Sequence, residues 1–209
     1  MASEDRPPLR GLLVDFGGVL TSDVFASFEA FCRAEGLEPN TVRDRFMGDP
    51  AARELLGDLE TGKLTEAEFE PRFAAVLGVA PDGLIDGLFA GMAPDTAMVE
   101  AVRAAKRAGV RTGLLSNSWG ADRYDRDTIP DLFDATVISG EVGVRKPDPA
   151  IYELAAEALA LPAAQIVFVD DLRGNLKPAR ALGRATVHHT DAGATGAELE
   201  ELLGVELRA

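Results

Sequence analysis

Five short apolar runs, spaced by stretches of helical periodicity, restrict this chain to few architectures. They fall at Gly11–Val14, Arg111–Leu115, Ala135–Ile138, Gln165–Val169 and 185–188. Each is too short for a helix and lacks polar alternation, the pattern of strands buried on both faces. Helical patterns at Thr96–Ala108, from Pro149 onward, at 174–182 and near 195–204 alternate with them. Strands joined by helices make βαβ units, a parallel sheet and right-handed crossovers.

Residues 22–90 break the alternation, with helical patterns and no strand. Ser22 is positioned to cap a helix carrying Val24, Phe28, Phe31 and Cys32. Thr65 and Glu68 form a capping box, Leu64 and Phe69 a staple, and Phe69, Phe73, Val76 and Leu77 a helical stripe. The predicted fold is therefore α/β. A Rossmann-like parallel-sheet core spans 1–21 and 91–209, and an inserted α-helical cap spans 22–90.

Composition narrows the partners. A net charge of −14 gives no basic footprint for nucleic acid or an anionic membrane surface. That charge also repels a phosphorylated substrate, so a site for one needs a local cation. The single Cys32 excludes an intramolecular disulfide framework, suits a reducing compartment and reads as core. Residues 1–10 lack an apolar segment and no apolar run is long enough to span a bilayer, so the cytoplasm is the expected compartment.

Asp15 ends the first strand and is followed by Phe16-Gly17-Gly18. Glycines there let the backbone turn tightly and bring its own polar groups close to a ligand. Such a carboxylate serves as nucleophile or metal ligand, or equally as the cap of a following helix. The other strand ends weigh in. Ligands of open parallel sheets bind beyond the carboxyl ends of the strands, where this chain has Asp15, Ser116-Asn117, the turn holding Lys146, and Asp170-Asp171.

These residues form a coherent set. Three carboxylates suit a hard cation such as Mg2+, which bridges readily to phosphate. Ser116 and Asn117 supply donors to phosphate oxygens, and Lys146 a point charge against developing negative charge. Asp15 is then the in-line nucleophile, forming an aspartyl-phosphate that water hydrolyses. Adjacent Asp170-Asp171 is the least ordinary element, because like charges at a buried strand end repel unless a cation or donors compensate.

Asp15-Phe16-Gly17-Gly18-Val19, Leu114-Leu115-Ser116-Asn117, Lys146-Pro147 and Phe168-Val169-Asp170-Asp171 resemble the four motifs of the haloacid dehalogenase superfamily, with a helical cap after the first. Within it, Ser116-Asn117-Ser118-Trp119, Gly143–Tyr152 and Val169–Arg180 are most similar to the amino-terminal phosphatase-like domain of soluble epoxide hydrolases and to bacterial sugar-phosphate phosphatases. The resemblance implies a Mg2+-dependent phosphomonoester hydrolase acting on a small phosphorylated metabolite. It implies Asp15 as nucleophile, Ser116 and Lys146 as phosphate ligands, and Asp171 as direct metal ligand. Asp170 would act through a metal-bound water or hydrogen bonds, and the backbone carbonyl of Gly17 would complete the shell.

One position departs from that pattern. Family phosphatases usually carry a second Asp two residues after the nucleophile, where this chain has Gly17. General acid–base catalysis is worth on the order of 10² to 10⁴ in rate, so its loss leaves three readings. The first is a phosphatase leaning on a good leaving group or on a cap residue, with Asp23 and Arg43-Asp44-Arg45 the nearest in sequence. The others are a 2-haloacid dehalogenase and a silent binding protein. Of the remaining residues, His188-His189 are expected one packed and one exposed, Trp119 and Tyr124 near the pocket mouth, and the glutamates of the helical block, Glu60 included, on solvated faces.

Overall fold

The computed structural model describes residues 7–120, 124 and 129–207. Residues 1–6, the greater part of the segment read above for a leader, lie outside the described residues. The strands are β1 (Gly11–Val14), β2 (Arg111–Ser116), β3 (Ala135–Ile138), β4 (Ile166–Asp170) and β5 (Ala185–His188). They form one parallel sheet in the order β3-β2-β1-β4-β5. From β1 the chain runs outward through β2 and β3, then crosses to β4 and β5 on the other side. The reversal opens a crevice at the carboxyl ends of β1 and β4, whose last paired residues are Val14 and Val169.

Five helices follow β1: α1 (Val24–Ala34), α2 (Thr41–Gly48), α3 (Pro50–Glu60), α4 (Glu66–Leu77) and α5 (Leu84–Phe89). They share an apolar cluster of their own, centred on Phe28, Phe46, Phe69, Phe73 and Leu88, with Trp119 packed against it. The free thiol of Cys32 is buried there. The capping box of α4 is formed, with the Glu68 N–H donating to the Thr65 hydroxyl at 3.3 Å and the Thr65 N–H donating to Glu68 at 2.9 Å. Asp23, not Ser22, caps α1, accepting from the Phe25 N–H. Ser22 instead accepts from the Ala93 N–H at 3.1 Å, tying together the two passages between sheet and helical block beside the Thr21–Pro94 bridge.

The remaining helices are α6 (Thr96–Arg107), α7 (Ile129–Leu132), α8 (Ser139–Val142), α9 (Pro149–Leu159), α10 (Arg173–Ala181) and α11 (Ala192–Leu203). Successive strand residues point to opposite faces, so the sheet has two cores. Leu12, Val14, Val167 and Val169 pack with Met98, Val102 and Leu199 on one side, and Leu13, Leu115 and Phe168 with Ile151, Tyr152 and Leu176 on the other. The segment after β3 closes into the single turn α8. Gly143, at φ 75°, ends it by donating to the Ser139 carbonyl at 2.9 Å. Among the described residues no helix is long and apolar enough to cross a membrane.

Candidate active site

The end of β1 delivers Asp15 into the crevice. Its N–H donates to the Val169 carbonyl at 3.0 Å, which continues the sheet and holds the residue rigidly. Oδ1 accepts from the Phe16 N–H at 2.7 Å and lies 2.8 Å from Nζ of Lys146. The same ammonium lies 2.8 Å from Oδ2 of Asp170. Asp170, wholly buried, also accepts from the Leu172 N–H at 2.8 Å and from the Asn175 amide at 3.1 Å.

Asn117 fixes the Lys146 turn. Its Oδ1 accepts from the Lys146 N–H at 2.9 Å, and its Nδ2 donates to the Lys146 carbonyl at 3.1 Å and lies 3.5 Å from Glu60. The side chain expected to donate to phosphate thus also grips the main chain of the lysine. Ser116, the last residue of β2, is buried and accepts from the Tyr124 hydroxyl at 2.9 Å.

Charge is poorly balanced here. Burial pulls the Lys146 ammonium down, but the charges of Asp15 and Asp170 outweigh that and hold it above its ordinary value. Burial raises Asp15 well above the usual carboxylate range, against the opposing pull of Lys146. Asp171 is pushed up to about 6, by burial first and by Asp170 second. Carboxylate oxygens of Asp15, Asp170 and Asp171 lie within 4.8 Å of one another. Three carboxylates against one ammonium leave an excess of negative charge, and an all-oxygen donor set with that excess fits a hard divalent cation such as Mg2+. The backbone keeps room for it. Gly18 sits at φ 73°, and a Cβ there would come within 2.6 Å of Oδ2 of Asp171.

Sequence reasoning missed Glu60, its partner Arg145 and Asn175 as members of the site. Glu60, assigned to a solvated face, is buried at the end of α3, ion-paired with Arg145. Its backbone carbonyl accepts from the Ser139 hydroxyl. Gly62 makes this approach of α3 to α8 feasible, since at φ 72° a Cβ would come within 2.5 Å of the Gly140 carbonyl oxygen. Burial raises the Glu60 carboxyl, with Arg145 opposing. The third, Asn175, is one turn into α10, a spacing after Asp170 that places its amide back on that carboxylate.

The other residues weighed above separate clearly. Trp119, Tyr124 and Arg43 line a cavity of about 540 Å³ together with Asp15, Gly17 and Lys146. Asp23 caps α1, and Asp44 and Arg45 line a separate shallow hollow. His189 is buried, and His188, half-buried rather than exposed, donates from Nε2 to the Asp171 carbonyl at 2.9 Å. A bond to a carbonyl oxygen requires the proton on that nitrogen.

A family model for haloacid dehalogenase-like hydrolases matches residues 9–183. The chain belongs to this family. It is thus a hydrolase of the haloacid dehalogenase-like class, and its relatives include phosphatases. It is 37% identical over 117 residues to bifunctional epoxide hydrolase 2 of Sus scrofa, a match covering 53% of this chain and 21% of that protein. It is 35% identical over 114 residues to the sesquiterpene phosphatase astK of Aspergillus oryzae, covering 53% of this chain and 58% of that one. The chain thus spans about a fifth of the first of these curated relatives. Among solved structures, a haloacid dehalogenase family enzyme from Bacteroides thetaiotaomicron in complex with magnesium and inorganic phosphate is 25% identical. It aligns with a TM-score of 0.67 over 87% of this chain and 94% of its own.

Proposed function

We propose that this haloacid dehalogenase-like hydrolase is a Mg2+-dependent phosphomonoester hydrolase acting on a small phosphorylated metabolite. The observation that carries the reading is the Lys146 ammonium, 2.8 Å from both Asp15 and Asp170 beside a third carboxylate, where β1 and β4 end. Asp15, Asp171 and the Gly17 carbonyl would hold the cation, with Asp170 ordering the surroundings. When bound, it supplies charge neutralisation for a phosphoryl group entering a carboxylate-lined crevice. Residues 22–90 would form the cap and 1–21 with 91–209 the core, a division supported by the separate apolar cluster of α1 to α5.

Asp15 attacks through Oδ2, because Oδ1 already takes the Phe16 N–H and the Lys146 ammonium. The new bond joins Oδ2 to phosphorus as the ester P–O bond breaks, and the electron pair leaves with the ester oxygen. Lys146 offsets the charge gathered around Asp15. Ser116 accepts from Tyr124, which directs its own proton to a phosphate oxygen, and Asn117 acts through Lys146 by fixing its main chain. Water then attacks phosphorus, releasing phosphate and the free carboxylate. Glycine at position 17 supplies no acid, so the leaving oxygen takes its proton from water and its own acidity governs the first step.

An attack on carbon of the dehalogenase type has no use for a divalent cation, and clustered carboxylates around one lysine weigh against it. Phosphate release from p-nitrophenyl phosphate, measured with Mg2+ and with EDTA, tests the proposal. Metal-dependent release is expected. A folded, Mg2+-binding protein that releases phosphate from no monoester would overturn it in favour of a silent binding member.

A further inference from the structure

We infer that the organic part of the substrate is an extended apolar group rather than a sugar, an inference that rests on the phosphatase reading above. The cavity in front of Asp15 holds about 540 Å³. At about 30 Å³ per group, the liquid share of one water molecule, it has room for on the order of 18 heavy-atom-sized groups, well beyond a phosphate. Away from the phosphate end its wall is Phe25, Phe28, Phe46, Leu56, Phe89 and Trp119. The Trp119 ring lies 5.7, 5.8 and 5.1 Å from the rings of Phe28, Phe46 and Phe89, so this wall is packed in advance of any ligand.

Three of the polar lining groups are already engaged with other residues. Arg145 holds Glu60, Asn175 holds Asp170, and Tyr124 donates to Ser116. Sugar hydroxyls against the aromatic wall would lose water without gaining partners, whereas an apolar chain gains from the same burial. The surface around the opening agrees. Met47 is 70% exposed and Leu172 is 41% exposed, and both line the cavity. Large apolar side chains left open to water at a concave site mark a place where an apolar ligand lies. Arg43, over the Phe25 ring, and Arg53, both exposed on the same lining, supply local positive charge that draws an anionic ligand toward the cavity in a chain of net charge −14.

The test is kcat/KM for butyl, hexyl, octyl and decyl phosphates below their micelle concentrations, with glucose 6-phosphate and p-nitrophenyl phosphate alongside. Burial of each methylene predicts a rise of about fourfold until the cavity is filled, and glucose 6-phosphate falling below hexyl phosphate. In the double variant Met47→Gln, Leu56→Gln, folded by circular dichroism, that dependence on chain length flattens. Turnover of p-nitrophenyl phosphate with no dependence on chain length, or with glucose 6-phosphate preferred, overturns the inference and leaves the phosphatase reading standing. A wild-type dependence retained in the double variant also overturns it, because the chain would then lie elsewhere. No turnover of any monoester overturns the phosphatase reading itself, and the inference with it.

Discussion

The ammonium of Lys146 lies 2.8 Å from Oδ1 of Asp15, on the side of the carboxylate that already accepts the Phe16 N–H. It also lies 2.8 Å from Asp170, so one cation organises the ends of two neighbouring strands. Lys146→Met is expected to lower kcat by about 10² to 10³, the effect of removing one preorganised electrostatic partner. Lys146→Arg is not expected to restore it, because a planar fork cannot replace a point charge enclosed between two carboxylates. Steady-state kinetics on folded variants check both, and an active Lys146→Met would remove the lysine from the mechanism.

Glycine at position 17 makes turnover depend on the leaving group. Across aryl and alkyl phosphates kcat/KM should fall steeply as the leaving alcohol becomes less acidic. Gly17→Asp restores an acid but meets a steric obstacle, since a Cβ there would come within 3.0 Å of Cγ2 of Val24. The double variant Gly17→Asp, Val24→Ala clears that contact and is expected to gain about 10²-fold on poor leaving groups, with Gly17→Asp alone gaining less. Equal rates in wild type and double variant would mean that the pocket already has its acid.

Glu60 and Arg145 join the helical block to the loop that carries Lys146. Glu60 is buried, but the Arg145 side chain is 35% exposed and rehydrates when its partner is lost. Glu60→Gln should therefore cost about 1–3 kcal/mol in stability, short of the full penalty for a stranded buried charge. A double-mutant cycle with Arg145→Met, read by urea unfolding, should return a coupling of at least about 0.5 kcal/mol. Additive losses would show that the pair does not act as a unit.

His189 gives the stability of the fold a pH dependence. Burial holds its pKa below 6.5, against the opposing charges of Asp95 and Asp191, while Nδ1 is 2.9 Å from the Thr195 hydroxyl. The unfolded chain therefore binds more protons in the window between the depressed folded value and about 6.5. This contribution is present above that window and is lost as pH falls through it, with a slope of at most about 1.4 kcal/mol per pH unit. His189→Asn should lack that component, so the difference in unfolding free energy between wild type and variant should change with pH across the window. An unchanged dependence would show that the imidazole titrates alike in both states.

Much of this arrangement is written locally. The strands carry continuous apolar runs, the capping box of α4 is a four-residue signal, and Asp15, Ser116, Lys146 and Asp170-Asp171 stand at strand ends or in the turns that follow β2, β3 and β4. Glu60 is different. Nothing within α3 distinguishes it from the exposed Glu54, because its burial depends on Gly62 meeting Gly140 and on Arg145, which is distant in sequence. The contact of Asn117 with the Lys146 main chain was hidden for a related reason. A strand-end amide can face a ligand or a neighbouring loop, and only the fold shows the Lys146 main chain beside it. Ser22 lost the cap of α1 to Asp23 because the Ala93 N–H, also remote in sequence, claims its hydroxyl.

The central claim is that Asp15 carries the phosphoryl group. Acid-quenched single turnovers with Mg2+ and p-nitrophenyl phosphate, followed by peptide mass spectrometry, test it most directly. The account predicts a phosphate adduct on the peptide containing Asp15 in wild type, absent from Asp15→Asn together with all phosphate release. Unchanged release from Asp15→Asn, or an adduct on another residue, would contradict it.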